Sequence, residues 1–219
     1  MKFSSTVRIA ACVLALSVLA GCVAPIVLGG AAIGGMMAVD RRTTGTQLED
    51  AGIEQRATNR IFADYEDKVH INTTSFNRQV LLTGEVPTAA ANEAIVKAVS
   101  GVGNVRSVVN ELAVMPNTSI TQRSNDTFIT GKMRASLVDA KDLSGSAFKV
   151  VTERGVVYLM GIVTQREADR ATSIARGITG VRKVVRVFEI VGEADLARIN
   201  APARAPVIVT NPGPATAPK

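Results

Sequence analysis

The chain has 219 residues, with 25 Lys and Arg against 19 Asp and Glu, and a formal net charge of +6. Its two cysteines and single histidine leave little for metal or nucleophile chemistry. The positive excess suits anionic lipid or other acidic surfaces, and is too weak and too scattered to indicate nucleic acid.

Residues 1–8 carry two cations and no acid. An apolar run from Ile9 to Ala20 follows, the length of a signal-peptide core and too short to span a bilayer. It closes in Leu19-Ala20-Gly21-Cys22. This order of charged, apolar and small residues before a cysteine resembles the bacterial lipobox. The resemblance implies cleavage after residue 21 and acylation of Cys22, with palmitate among the chains. The alternative is a buried core helix, but no amphipathic period marks one. Cys12 then leaves with the leader, so cysteine catalysis and cysteine metal sites are excluded. Losing Lys2 and Arg8 lowers the charge to about +4. Val23 stands where an Asp retains enteric lipoproteins at the inner membrane. By that resemblance the expected address is the outer membrane; the periplasm is the expected side, the cell exterior the alternative.

Residues 24–39 are apolar and glycine-rich. They read as a flexible tether, the alternative being a segment lying on the membrane. Pro25 and four glycines argue against a spanning helix. The segment Asp40-Arg41-Arg42-Thr43-Thr44-Gly45 marks the exit into a folded part of about 150 residues, Thr46 to Glu193.

That part contains a repeat. Val80-Leu-Leu-Thr-Gly-Glu-Val86 and Val157-Tyr-Leu-Met-Gly-Ile-Val163 lie 77 residues apart. Each leads through a helical pattern to a valine-rich strand, Val105 to Leu112 and Val181 to Phe188. In the first copy Leu48 to about Asp64 reads as helix and Lys68 to Phe76 as strand. Asn77-Arg78 turns a hairpin, Val80 to Val86 returns, a helix runs from Pro87-Thr88 to about Val99, and Val105 to Val114 closes the unit. After a short linker, the second copy opens with a helix from Asp126 to about Ala140. Ser146 to Thr152 is a strand, Glu153-Arg154-Gly155 a tight turn, and Val156 to Val163 the return. Thr164-Gln-Arg-Glu167 is a capping box for a helix to about Arg176, and the last strand reaches Val191. From Arg198 to Lys219 five of the eight prolines occur with few large apolar residues, which reads as a disordered tail.

The strand glycines of Leu-Thr-Gly84 and Leu-Met-Gly161, with the turns Gly101-Val102 and Gly180-Val181, resemble the BON domain family. The resemblance covers residues 46 to 193. It implies an α+β fold of two tandem BON domains, each an αββαβ sandwich of a three-stranded sheet and two helices. The expected division is 1–21 signal peptide, 22–45 lipidated cysteine and tether, 46–115 and 124–193 the two domains, 116–123 linker, and 194–219 tail. With the lipobox, and with the segments 40–45 and 125–130, the pattern is similar to dual-BON outer-membrane lipoproteins associated with envelope stress and cell division.

No active site is expected. His70 sits in a strand, and no second histidine or clustered acidic set accompanies it in the sequence, so no metal or cofactor is expected. Binding is expected on the helix that opens the second copy. At about 100° per residue, Ile129, Met133, Leu137 and Ala140 form the core stripe. Phe128, Gly131, Lys132, Ala135 and Val138 lie away from it. Phe128 is expected either to enter lipid headgroups, with Lys132 and Arg134 pairing with phosphate, or to pack on the neighbouring copy or staple the helix entry. The family resemblance favours lipid, notably phosphatidylglycerol, and matches Phe128 and Val138 to that surface; with the cations Lys132 and Arg134 and with Ala135 beside them, these five are the expected phospholipid-binding residues. An aromatic of that surface in the family is tryptophan, which this chain lacks. The corresponding helix of the first copy looks polar outside and is not expected to bind lipid. The competing expectations are an adaptor for outer-membrane assembly proteins and an activator of envelope hydrolases.

Overall fold

The computed structural model describes residues 40–201. They form one compact unit. Cys22, the leader, residues 23–39 and most of the tail lie outside the described residues.

The first copy comprises α1 (Thr44–Tyr65), β1 (His70–Phe76), β2 (Gln79–Val86), α2 (Ala89–Ser100) and β3 (Ser107–Val114). The second comprises α3 (Ile120–Asp139), β4 (Phe148–Glu153), β5 (Val156–Val163), α4 (Gln165–Arg176) and β6 (Lys183–Ile190). In each copy the first two strands pair antiparallel, and the third lies parallel to the second. The parallel pairing follows from the helix between those strands, which carries the chain back to the same end.

Local chemistry sets the helix starts. Hydroxyls of Thr43, Thr88, Ser119 and Thr164 each accept a backbone N–H of the first turn. Thr164 and Glu167 form the expected reciprocal capping box. Each hairpin turn is clasped by an acid on the helix before it. Asp50 accepts the N–H groups of Asn77 and Arg78, and Asp126 those of Arg154 and Gly155. The turns need this because all four residues have positive φ, as two-residue hairpin loops demand.

The repeat's strand glycines have a steric cause. A Cβ on Gly84 would sit 2.0 Å from the carbonyl oxygen of His70, and one on Gly161 2.5 Å from that of Ala147. Only glycine lets the neighbouring backbone approach so closely.

Three observations differ from the sequence expectation. Helix α1, expected from Leu48, begins at Thr44 because Thr43 caps it. The helix expected from Asp126 begins at Ile120, because Ser119 caps a polar first turn in which no apolar period is visible. A short helix α5 (Glu193–Ile199) occupies the start of the expected tail. Glu193 and Asp195 in its first turn and Arg198 in its last complement the helix dipole, and Leu196 is buried.

Three cores result. Val80, Leu82 and Val86 meet Ile53, Ala57 and Ile61 of α1 and Ala91, Ile95 and Val99 of α2. Val157, Leu159 and Val163 meet Ile129, Met133 and Leu137 of α3 and Ala168, Ala171 and Ala175 of α4. A third core joins the copies, with Phe76 and Leu81 against Tyr158, Met160, Ile162 and Val187. Alternate residues of each central strand therefore point to opposite cores. The sheets pack through the faces that their helices leave free.

A polar strap adds to this junction. Arg41, just before α1, makes a bidentate pair with Glu167, at 2.8 and 2.7 Å, and donates to the Ile162 carbonyl at 2.8 Å. Burial pushes the Glu167 carboxyl up, but the Arg41 guanidinium and the Thr164 N–H hold it below the usual range. Arg42 binds Asp40 and Asp50, and its guanidinium lies 4.2 Å from the Phe76 ring centroid.

Candidate functional site

Helix α3 turns Ile129, Met133 and Leu137 into the core. The opposite side carries Ile120, Phe128, Gly131, Ala135 and Val138, all exposed. Phe128 is 64% exposed and Val138 75%. The Phe128 ring is thus not enclosed by the first copy. Ten residues of helix set Phe128 and Val138 about 15 Å apart along one side. Lys132 Nζ lies 4.4 Å from the Phe128 ring centroid, a cation–π contact that holds an ammonium beside the ring. Arg134 is exposed along the other border of the strip. Neither Lys132 nor Arg134 has a carboxylate partner within salt-bridge distance among the described residues.

The structure thus brings together Phe128, Lys132, Ala135 and Val138 on one side, with Arg134 at its edge. Ala140, expected in the core stripe, ends the helix as its C-cap and is half-buried. Ile120 belongs to the exposed strip and was not expected there, because the helix was expected to start later.

Helix α1 has a different outer side. Leu48 and Phe62 are exposed, which the expectation of a polar face did not include. Between them are Gln55 and Asn59, hydrogen-bonded to each other. Its cations are matched in place, Arg56 by Glu49 at 2.7 Å and Arg60 by Asp64 at 4.0 Å. An outer side whose cations already have anions attracts phosphate less than one whose cations are unpaired.

The copies also build a polar cluster. Glu85 on β2 is fully buried, and Glu153 at the end of β4 is 2% exposed. Glu85 accepts from Arg154 at 2.5 Å, from both the N–H and the hydroxyl of Thr118 at 3.1 Å, and meets His70 Nδ1 at 3.0 Å. Burial pushes its carboxyl up, but these donors, led by the Thr118 N–H, bring it below the ordinary range. Glu153 has Asn72 at 2.8 Å. Burial, with the charge of Glu85, holds its carboxyl above the ordinary range. The expectation that no acidic set accompanies His70 is therefore corrected. Glu85 and Glu153 are 15 and 83 residues away in the chain, and only the hairpin register and the packing of the copies bring them to it. A cleft of about 400 Å³ lies above, lined by His70, Asn72, Glu153, Arg123, Thr130 and Arg134 among others.

No described helix is long and apolar enough to cross a membrane.

The BON domain model matches residues 49–116 and 125–192. The chain is 38% identical over 173 residues to the outer membrane lipoprotein DolP of Haemophilus influenzae, covering 78% of this chain and 89% of that protein. It is 32% identical over 155 residues to a 21 kDa hemolysin of Actinobacillus pleuropneumoniae, covering 70% and 80%. It is 32% identical over 148 residues to the osmotically-inducible protein Y of Escherichia coli, covering 64% and 72%.

Proposed function

The chain belongs to the BON-domain family, and from that premise we propose a non-enzymatic, lipid-anchored protein that binds anionic phospholipid through the outer side of α3. The name of its Haemophilus relative, an outer membrane lipoprotein, supports the same address here; in this proposal Cys22 is the anchor and the folded part stands in the periplasm. Its role is support of outer-membrane integrity.

The observation that carries the reading is an exposed aromatic and aliphatic strip bordered by unpaired cations. Moving the Phe128 ring from water into the headgroup region stabilises by about 1.5–3 kcal/mol when burial is complete. Each cation near an anionic surface adds roughly 1 kcal/mol. These gains are weak singly. The acyl anchor makes them effective by holding the module at high local concentration. Phenylalanine lacks the indole N–H of tryptophan, so the contact is less firmly fixed at the interface.

The unit Ala38–Lys219 contains all three cores and suits the test. It is floated with vesicles that contain or lack phosphatidylglycerol. Binding is expected only to the anionic vesicles, and Phe128→Glu abolishes it. Equal binding to neutral vesicles, or full binding by the variant, overturns the reading. In cells, Cys22→Ser is expected to end palmitate incorporation.

A further inference from the structure

The chain's one histidine faces two buried carboxylates, one from each copy. A donor atom from each of His70, Glu85 and Glu153 lies within 4.8 Å of the other two. These atoms are an imidazole nitrogen and two carboxylate oxygens.

Hydrogen bonding in the cluster leaves one carboxylate oxygen without a protein donor among the described residues. Among the described residues one guanidinium, that of Arg154 on Glu85, is within salt-bridge distance of the two carboxylates, while Arg123 and Arg134 line the cleft farther off. Glu85 is well supplied, with Arg154 on Oε1 and Thr118 on Oε2. Glu153 is not. Asn72 donates to its Oε2, and among the described residues no group donates to its Oε1. That oxygen is not among the enclosed polar atoms and faces the cleft, so an ion can reach it without displacing a protein donor.

The donor set selects the ion. Imidazole with carboxylates suits a first-row divalent metal such as zinc. Calcium and magnesium prefer more oxygen donors and no imidazole. The carboxylates are already oriented by outer contacts, Glu85 by Arg154 and Thr118 and Glu153 by Asn72, as metal-binding carboxylates are. The cleft lined by His70 and Glu153 gives entry from solvent and room for a water on the fourth position.

We propose that His70, Glu85 and Glu153 form a zinc site that bridges the two copies. The ion takes the place of the hydrogen bond between His70 Nδ1 and Glu85 Oε2. Arg154 keeps the other Glu85 oxygen. Its cleft shares Arg134 with the edge of the exposed strip of α3, but its three ligands lie off that strip, and the site does not depend on lipid binding.

The full chain is purified in detergent, stripped with a chelator, and titrated with zinc chloride against a chromophoric zinc chelator. One equivalent per chain is expected. His70→Ala and Glu153→Gln are each expected to weaken binding at least ~10-fold. Glu153→Gln keeps the volume and an oxygen for Asn72, so it decides the test if His70→Ala proves unstable. Zinc is expected to raise the thermal midpoint of the parent and not that of Glu153→Gln. X-ray absorption of the loaded chain should show nitrogen and oxygen neighbours, with imidazole scattering, at about 2.0–2.2 Å. No stoichiometric binding, sulfur neighbours, or parental affinity in Glu153→Gln would overturn the site.

Discussion

Arg41 shows how much one residue at the edge of a fold can determine. It precedes the first helix, yet its guanidinium is buried against Glu167 of the second copy, with both side chains about 95% enclosed. Removing the arginine leaves a carboxylate enclosed with only Thr164 to satisfy it. Arg41→Ala is expected to lower the unfolding free energy at neutral pH by about 3–5 kcal/mol. The pH dependence has a definite sign. The folded-state pKa of Glu167 is held below its ordinary value. The pair's contribution is therefore complete above the ordinary carboxylate range, about pH 4.3, and is lost as pH falls through the folded value. Denaturant midpoints of parent and variant should differ at neutral pH and converge in acid. Equal midpoints at neutral pH would mean that the strap carries no stability. The capping box at Thr164-Gln-Arg-Glu167 was legible in the sequence because both partners lie within four residues. The second use of Glu167, as the seat of Arg41, was not, because its partner is 126 residues away.

At the scale of elements, the strands and the capped helices follow from local pattern, and their boundaries from contacts that pattern does not reveal. The repeat made the two hairpins visible. It did not reveal that an acid on the preceding helix clasps each turn. Asp50 and Asp126 are 76 residues apart, almost the interval of the repeat itself, and that spacing was the available signal. Asp126 receives two turn N–H groups at 2.8 and 2.7 Å. Asp126→Ala should cost on the order of 2–3 kcal/mol, since hydrogen bonds to a charged acceptor are the stronger kind. Hydrogen exchange at Arg154 and Gly155 should rise more than in the core of β5. Uniform acceleration across the second copy would instead point to loss of global stability alone. The exposed side of α3 was read correctly from Phe128 onward because helical spacing assigns faces without tertiary knowledge. Ile120 was missed for the same reason that the helix start was missed: a polar first turn has no period to read.

For the whole molecule the question is whether two similar domains behave as one. Each copy read alone has a complete sandwich, and that reading leaves one face of each sheet free. The sequence did contain a sign of the answer. Val156-Val-Tyr-Leu-Met-Gly-Ile-Val163 is apolar at nearly every position, the pattern of a strand covered on both faces. Residues 80–86 break that pattern with Thr83 and Glu85, both buried, so the first copy alone did not reveal the junction. Leu81, Tyr158, Met160 and Ile162 now fill it, with burial pushing the Tyr158 phenol pKa up. Leu81→Ala removes a fully buried side chain from a core shared by both copies, which costs about 2–5 kcal/mol. Because that core belongs to neither copy alone, the loss should destabilise both together. Calorimetry of the unit Ala38–Lys219 should therefore give one transition whose calorimetric and van't Hoff enthalpies agree, and in Leu81→Ala the same single transition should move to lower temperature. If the variant instead resolves into two transitions with the second copy's unchanged, the copies are independent domains in contact. The shared core would then set the position of α3 without stabilising the fold that presents it.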